Sequence, residues 1–244
     1  MTDLRGQLRE FWDHDAATYD DSPSHALSDP VEAAAWRAIL ERHLPAPPAR
    51  ILDAGAGTGA ITKLLVDLGY RATALDISVA MLDRARQKLA GEEVDFVVAP
   101  ADEPPEGPFD AVVERHSLWT NPDPVGTLSA WRRVAPEGRL LVFESIDPYT
   151  FDRKARYAAS DVLRKILGRP HDHHDEYSPE LRASLPLLGA SSPGPLLEAV
   201  ASAGWRGIRL QRLRDVEWAR RQIPPRMIHA LESAPLFAVA AEAR

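Results

Sequence analysis

At 244 residues, 45% of them hydrophobic, the chain has enough material for one substantial domain with a full core and a small cap. A formal net charge of −7 argues against a nucleic-acid partner, which calls for a basic surface. With no cysteine, disulfides, thiolate metal sites and cysteine nucleophiles are excluded. No apolar run reaches the roughly 18 residues of a membrane span. The opening MTDLRGQLREFWDHD is charged and carries no apolar signal core, so the cytoplasm is the expected compartment.

In chain order, Leu4 to Tyr19 reads as an amphipathic helix with Leu4, Leu8, Phe11 and Trp12 on one face. Asp29 suits an N-cap and Pro30 a first helical position, opening a second helix to about His43 with Val31, Ala35, Ile39 and Leu40 inward. The linker LPAPPAR breaks it and feeds a strand. Next comes ILDAGAGTGAIT, Ile51 to Thr62: an apolar strand end, Asp53 at its tip, then Gly55, Gly57 and Gly59. A helix follows with Ile61, Leu64, Leu65 and Leu68 on one side. Strand, glycine turn and helix open a nucleotide-binding βα unit, where the backbone turns sharply and a ligand lies almost against it.

Gly55, Gly57 and Ala60 formally satisfy the dinucleotide pattern G-x-G-x-x-G/A. Asp53 opposes that reading, because its carboxylate would repel a pyrophosphate at the turn while it can accept hydrogen bonds from an amine. Gly59 also stands where the dinucleotide pattern requires no glycine. The second strand, Ala72 to Leu75, ends at Asp76, an acid placed to bind ribose hydroxyls. Ser78 stands ready to cap the next helix, a role Asp76 could otherwise fill.

Val94 to Ala99 and Phe109 to Glu114 are the third and fourth strands. The C-terminal ends of parallel strands form the ligand crevice of open α/β sheets, so Arg115, His116 and Trp119 are expected at its mouth. His116 supports two readings of equal weight: a base near neutral pH, or a residue that holds the loop through backbone bonds. Pro124 to Ala135 is a helix with Trp131 and Val134 inward, and LLVFES the fifth strand. Asp147 to Leu188 is the least regular stretch, with a polar helix through Leu167 and then GRPHDHHDEYS. His171, His173 and His174 lie among Asp172, Asp175 and Glu176, but adjacent residues seldom converge on one ion, so no metal site is expected. Tyr177 and Leu185 to Gly189 are candidates to line a substrate pocket. A helix from Pro195 to Ala203 ends at Gly204, followed by strands at Gly207 to Leu213 and Leu236 to Ala241 around a short helix, Val216 to Arg221.

D-x-G-x-G-x-G followed by a helix resembles motif I of the class I S-adenosylmethionine-dependent methyltransferases. The resemblance extends to Phe11–Asp20, F-W-x-x-x-A-x-x-Y-D, similar to the N-terminal lid of the small-molecule members. It also covers Arg115–Pro124, R-H-x-L-W-T-x-P-D-P. It implies that Asp53, Gly55, Gly57 and Gly59 hold the amino-acid end of the cofactor and that Asp76 takes the ribose. By the same resemblance Ile77 and Met81 contact adenine, Asp102 receives its amino group, and Tyr19 closes over the cofactor. The strand-end backbone at Arg115 receives the methionine amine, and Trp12, Trp119 and Tyr177 face the acceptor. The family usually has two glycines in the turn before the fifth strand; here Glu137 replaces the first, which concerns turn geometry more than chemistry.

The implied fold is α/β, a three-layer Rossmann-like sandwich. It has a seven-stranded, mostly parallel sheet with an antiparallel C-terminal strand, an N-terminal helical lid and an inserted cap. The expected divisions are lid 1–48, cofactor core 49–146, substrate cap 147–192, and 193–244 completing the core. The implied activity is methyl transfer from S-adenosylmethionine to oxygen, nitrogen or carbon of a small molecule, by in-line displacement. His116 is the first candidate for a base. Two alternatives stay open: an NAD(P)-dependent oxidoreductase, and a non-methylating S-adenosylmethionine-binding member of the same fold.

Overall fold

The computed structural model describes residues 3–146, 151–168 and 177–244. Helices α1 (Leu4–Asp15), α2 (Pro23–Ala26) and α3 (Pro30–His43) precede strand β1 (Arg50–Ala54). Then follow α4 (Ala60–Asp67), β2 (Arg71–Asp76), α5 (Val79–Lys88), β3 (Val94–Val98) and β4 (Ala111–Arg115). Helix α6 (Pro124–Val134) leads to β5 (Arg139–Ser145), α7 (Phe151–Leu167), α8 (Pro179–Ala183) and α9 (Gly194–Ser202). The chain closes with β6 (Arg206–Arg212), α10 (Arg214–Arg220), α11 (Arg226–Glu232) and β7 (Leu236–Glu242).

The strands form one sheet in the order β3-β2-β1-β4-β5-β7-β6. Strands β1 to β5 pair in parallel, and β7 runs antiparallel to both β5 and β6. Alternation along each strand sends successive side chains to opposite faces. Ile51, Val113, Leu141 and Phe143 pack with Trp36, Ile39 and Leu65 of α3 and α4. Their neighbours Leu52, Val112, Leu140 and Val142 pack with Leu128, Trp131 and Val200 of α6 and α9. Both faces are therefore covered, which explains the continuous apolar runs of these strands. Trp36 and Trp131 are fully buried, one on each face; truncating either to alanine is expected to cost about 3–5 kcal/mol.

The strand order reverses between β1 and β4, so the loops leaving these two strands open a crevice at the carboxyl end of the sheet. The closing antiparallel pair is the hairpin that the methyltransferase resemblance implied, and it differs from the parallel strand of a dinucleotide-binding domain.

Three local expectations need correction. Helix α1 ends at Asp15, and Tyr19 begins a separate 3₁₀ turn, Tyr19–Asp21. The chain bends there because Asp20 is drawn onto Thr58 and Lys88 of the core. Val31 is 46% exposed, since it lies on the solvent side of the first turn of α3, where Glu32 and Ala33 turn inward and fully buried Trp36 supplies the inward anchor. The connection between β6 and β7 holds two helices, α10 and α11, where one was expected. The histidine-rich stretch 171–174 and its acids lie outside the described residues. Among the described residues no group of three potential ligands is placed to hold a metal, and no helix is long and apolar enough to cross a membrane.

Candidate functional site

The three glycines of the turn after β1 all have positive φ, but for different purposes. A Cβ at Gly55 would lie 2.2 Å from Ser117 Oγ, so this glycine lets the loops after β1 and β4 meet. A Cβ at Gly59, the N-cap of α4, would meet Ala85 at 3.0 Å and Leu89 at 3.2 Å, so this one serves helix packing. A Cβ at Gly57 would find nothing of the protein within 4 Å. It is the glycine whose missing side chain leaves space for a ligand.

The turn is tied to Asp76 at the tip of β2. Asp76 accepts from the Gly57 N–H (2.8 Å) and the Ser78 N–H (2.8 Å). Ser78 caps α5, accepting from the Met81 N–H, which relieves Asp76 of that duty. Burial raises the Asp76 carboxyl to about 6, against these backbone donors. Asp53 is 1% exposed, behind the turn, and accepts from the Thr62 hydroxyl at 2.5 Å; burial likewise raises it to about 6.

Gly55, Gly57, Asp76, Ile77, Met81, Asp102 and Ser117 line a cavity of about 210 Å³. Asp102 is also paired with Arg5 at 2.5 Å, an ion pair from α1 across the rim. Beyond this cavity lies a second of about 1300 Å³, whose walls include Phe11, Trp119, Glu144, Ile146, Tyr177 and Leu188. Trp12, Tyr19, Arg115 and His116 line both. Two chambers that share a four-residue wall can hold two reactants in contact.

The wall is built from both ends of the chain. Arg115 at the end of β4 donates to the carbonyls of Ser24 (3.2 Å) and His25 (2.8 Å). Tyr19 stacks on His25 at a ring separation of 4.4 Å and meets Trp12 edge-on at 6.2 Å. Further contacts seat the N-terminal segment over the smaller cavity. Asp13 accepts from Ser78 Oγ (2.6 Å) and the Ala80 N–H (3.1 Å), Asp20 accepts from Thr58 Oγ1 (2.6 Å) and pairs with Lys88 (3.0 Å), and Arg84 donates to the Ala17 carbonyl (2.7 Å).

His116 has φ +60°, in the left-handed region that non-glycine residues seldom adopt. Its N–H donates to the Phe143 carbonyl (3.0 Å), and its own carbonyl accepts from Trp119 Nε1 (3.0 Å). Both readings of this residue thus have structural content: it holds the loop through its backbone while its ring borders both cavities. Burial, with Arg220, Arg115 and His25 adding to it, keeps the imidazole well below its usual pKa and therefore neutral. Its Nδ1 lies 3.5 Å from Glu144 Oε2.

Sequence reasoning missed the buried acids Glu114 and Glu144, which sit inside apolar strand patterns. Glu114 accepts from the N–H groups of Ser117 and Leu118, and Glu144 from that of Trp119 (3.2 Å). They shape the loop after β4, and burial raises both carboxyls, Glu114 to about 7. Tyr177 packs between Phe11 (4.4 Å) and Trp119 (5.8 Å) on the larger cavity, with its buried hydroxyl unpartnered among the described residues. The acidic latch residues Asp13 and Asp20 were missed as well, although the acid-rich run around Tyr19 was their only signal.

Residues 52–143 match the family described as "Methyltransferase domain". A demethylmenaquinone methyltransferase from Renibacterium salmoninarum is 31% identical over 218 residues, covering 86% of this chain and 91% of that protein. The demethylmenaquinone methyltransferase of Clavibacter sepedonicus is 33% identical over 148 residues, and that match spans 60% of its length. Among solved structures, the complex between the Haloferax volcanii Trm112 methyltransferase activator and a methyltransferase gives a TM-score of 0.62 at 18% identity, covering 94% of this chain and 97% of that one. At that identity the likeness concerns the fold.

Proposed function

The chain belongs to the class I S-adenosylmethionine-dependent methyltransferases, and from that premise we propose that it methylates a small organic acceptor held in the larger cavity. The observation that carries this reading is the wall of Trp12, Tyr19, Arg115 and His116 common to both chambers. The residues present fit the family's cofactor. Gly57 leaves its backbone open to a ligand, Asp76 offers carboxylate oxygens to ribose hydroxyls, and Leu75, Ile77, Met81 and Ala101 supply apolar wall for a base. Asp102, at the far rim, suits the adenine amino group. The acid behind the glycine turn and the antiparallel closing pair set the nicotinamide alternative aside.

When bound, the cofactor supplies a methyl carbon already activated by its sulfonium charge. The protein's work is then alignment and exclusion of water, and well-oriented reactants reach effective molarities of roughly 10⁵–10⁸ M. Tyr19 and Trp12, carried by the seated N-terminal segment, cover the junction of the two chambers. Neutral His116 takes the proton from an acceptor hydroxyl or ammonium. Residues 1–48 act as lid and the segment around α7 and α8 as acceptor cap. The cytoplasm is the proposed compartment, with no nucleic-acid partner.

The test is to incubate the purified protein with methyl-labelled cofactor and a panel of phenols, hydroquinones and amines. The panel includes a demethylated naphthoquinol, the class of substrate named for the relatives. Transfer of label to at least one acceptor is expected. Cofactor binding with no transfer to any acceptor, together with chemical conversion of a ligand in the larger cavity, would establish the non-methylating alternative instead.

A further inference from the structure

The tips of neighbouring strands lay the smaller cavity out in order. Asp102 follows β3, Asp76 ends β2, the glycine turn leaves β1 and Arg115 ends β4, and all of them stand on its wall. With adenine at Asp102 and ribose at Asp76, the amino-acid end of the cofactor falls between the glycine turn and Arg115. Among the described residues the charged side chains on this wall are Arg5, Asp76, Asp102, Arg115 and Asp123. Arg5 is spent on Asp102 and Glu103, at 2.5 and 2.6 Å. Arg115 is not neutralised in this way. Among the described residues its partners are the carbonyls of Ser24 (3.2 Å) and His25 (2.8 Å) and the face of Trp36 (5.6 Å), and none of these is a carboxylate. The two carbonyls leave donors of the guanidinium fork unspent and its charge intact. Burial works against that charge, and Glu32 and Asp53 offset this only from beyond ion-pair range. Both acids are engaged elsewhere: Glu32 accepts from Arg220 Nε (2.7 Å) and Trp36 Nε1 (3.3 Å), and Asp53 from the Thr62 hydroxyl (2.5 Å). Tyr19 is held in its phenol form by burial and adds no negative charge. S-adenosylmethionine has one anionic group, the carboxylate of its methionine part.

We propose that the Arg115 guanidinium binds the methionine carboxylate of the cofactor, through the donors that the carbonyls of Ser24 and His25 leave over. Charge-assisted bonds from a guanidinium to a carboxylate are the strong ones, and the fork fixes the carboxylate's orientation as well. The same fork then joins the cofactor to the N-terminal segment, because Ser24 and His25 belong to it and His25 stacks on Tyr19 at 4.4 Å. The inference needs the cofactor and no acceptor, so it goes beyond the methyl-transfer reading and holds for the non-methylating alternative too.

The experiment is calorimetric titration with S-adenosylhomocysteine and with its decarboxylated analogue, which keeps the adenine, ribose, thioether and amine. The parent is expected to bind the full ligand about 10-fold or more tighter than the analogue. Arg115→Gln is expected to weaken the full ligand by that factor and to leave the analogue within about 2-fold, so that the preference disappears. Arg115→Lys keeps the charge without the fork and should retain part of the preference. Arg5→Gln, at the adenine end, should retain all of it. Arg115→Gln also gives up the bonds to Ser24 and His25, so each variant is first melted thermally, and where Arg115→Gln does not fold the comparison rests on Arg115→Lys. A role confined to holding the N-terminal segment would weaken both ligands by one factor. Equal affinity of the parent for the two ligands, equal weakening of both in the Arg115 variants, or loss of the preference in Arg5→Gln overturns the inference and leaves methyl transfer standing. No binding of either ligand to the parent removes the inference together with the cofactor's place in the smaller cavity.

Discussion

His116 Nδ1 faces Glu144 Oε2 at 3.5 Å, across the mouth of the crevice between adjacent parallel strands. A carboxyl beside one ring nitrogen fixes the imidazole plane and leaves the other nitrogen for the acceptor. If His116 removes the acceptor proton, His116→Ala should lower kcat by about 10²–10⁴-fold with the cofactor Kd unchanged. Glu144→Gln should lower it less, since the amide still fills the space. Because the folded His116 is held well below 6.5, the enzyme keeps its base form throughout the neutral range. The acid limb of kcat against pH should then fall below pH 6.5 and vanish in His116→Ala. An acid limb retained in that variant would reduce His116 to its loop-holding role.

Glu114 predicts an opposite dependence for stability. Its carboxyl is raised from 4.5 to about 7 by burial, so between these values the folded state holds a proton that the unfolded state has released. Stability is therefore lost as pH rises through that window. Glu114→Gln keeps a carbonyl oxygen for the Ser117 and Leu118 N–H groups and has no proton to lose. The stability difference between variant and parent should grow in the variant's favour from about pH 4.5 to 7 and then level off, as read by denaturant melts across that range. A difference that stays constant with pH would show that Glu114 does not titrate on folding.

The sheet and the glycine turn were legible because their signals are local. Apolar runs mark strands buried on both faces, and a turn that must hug a ligand has to use glycine. The placements of Asp76 and His116 followed from one rule, that parallel strands present their carboxyl ends to the crevice. What was hidden depends on contacts between distant segments. Nothing near Glu114 or Glu144 distinguishes an acid ending a strand in solvent from one buried beneath the next loop. Val31 and Trp36 occupy the same helix, and which of them turns inward is decided by Phe143 on β5, whose ring Trp36 meets edge-on at 4.8 Å. Likewise the end of α1 is set by the partners of Asp20, Thr58 in the glycine turn and Lys88 of α5, which helix propensity does not register.

Gly57 and Gly59 give a paired test of which glycines serve the ligand. Alanine at either position carries the cost of a positive φ, roughly 1 kcal/mol. Gly59→Ala adds a steric clash with Ala85 and Leu89, so it should lower Tm by the larger amount. Gly57→Ala meets nothing within the protein, so its Tm should drop only slightly while cofactor affinity falls about 10-fold or more, the methyl occupying ligand space. Calorimetry and a thermal melt on the two variants decide it. Equal losses of affinity would mean that the ligand does not lie on Gly57.

The N-terminal segment proposed as the lid is seated over the smaller cavity by polar contacts, which suits a segment that lifts for cofactor exchange. Asp20 is its centre, accepting from Thr58 at 2.6 Å and pairing with Lys88 at 3.0 Å. Removing one hydrogen bond and one half-buried ion pair should cost the closed lid about 1–2 kcal/mol. That corresponds to roughly a 5- to 30-fold rise in the open population and, if opening limits release, in the cofactor dissociation rate. Asp20→Ala should therefore accelerate dissociation by that factor in stopped-flow measurements of tryptophan fluorescence, with Trp12 on the shared wall as reporter. Arg5→Ala breaks ion pairs at a site where the arginine side chain is 52% exposed, and it should change the rate less than about 3-fold. If both variants release cofactor at the parental rate, the contacts of Asp20 serve the resting fold alone and cofactor leaves by another path.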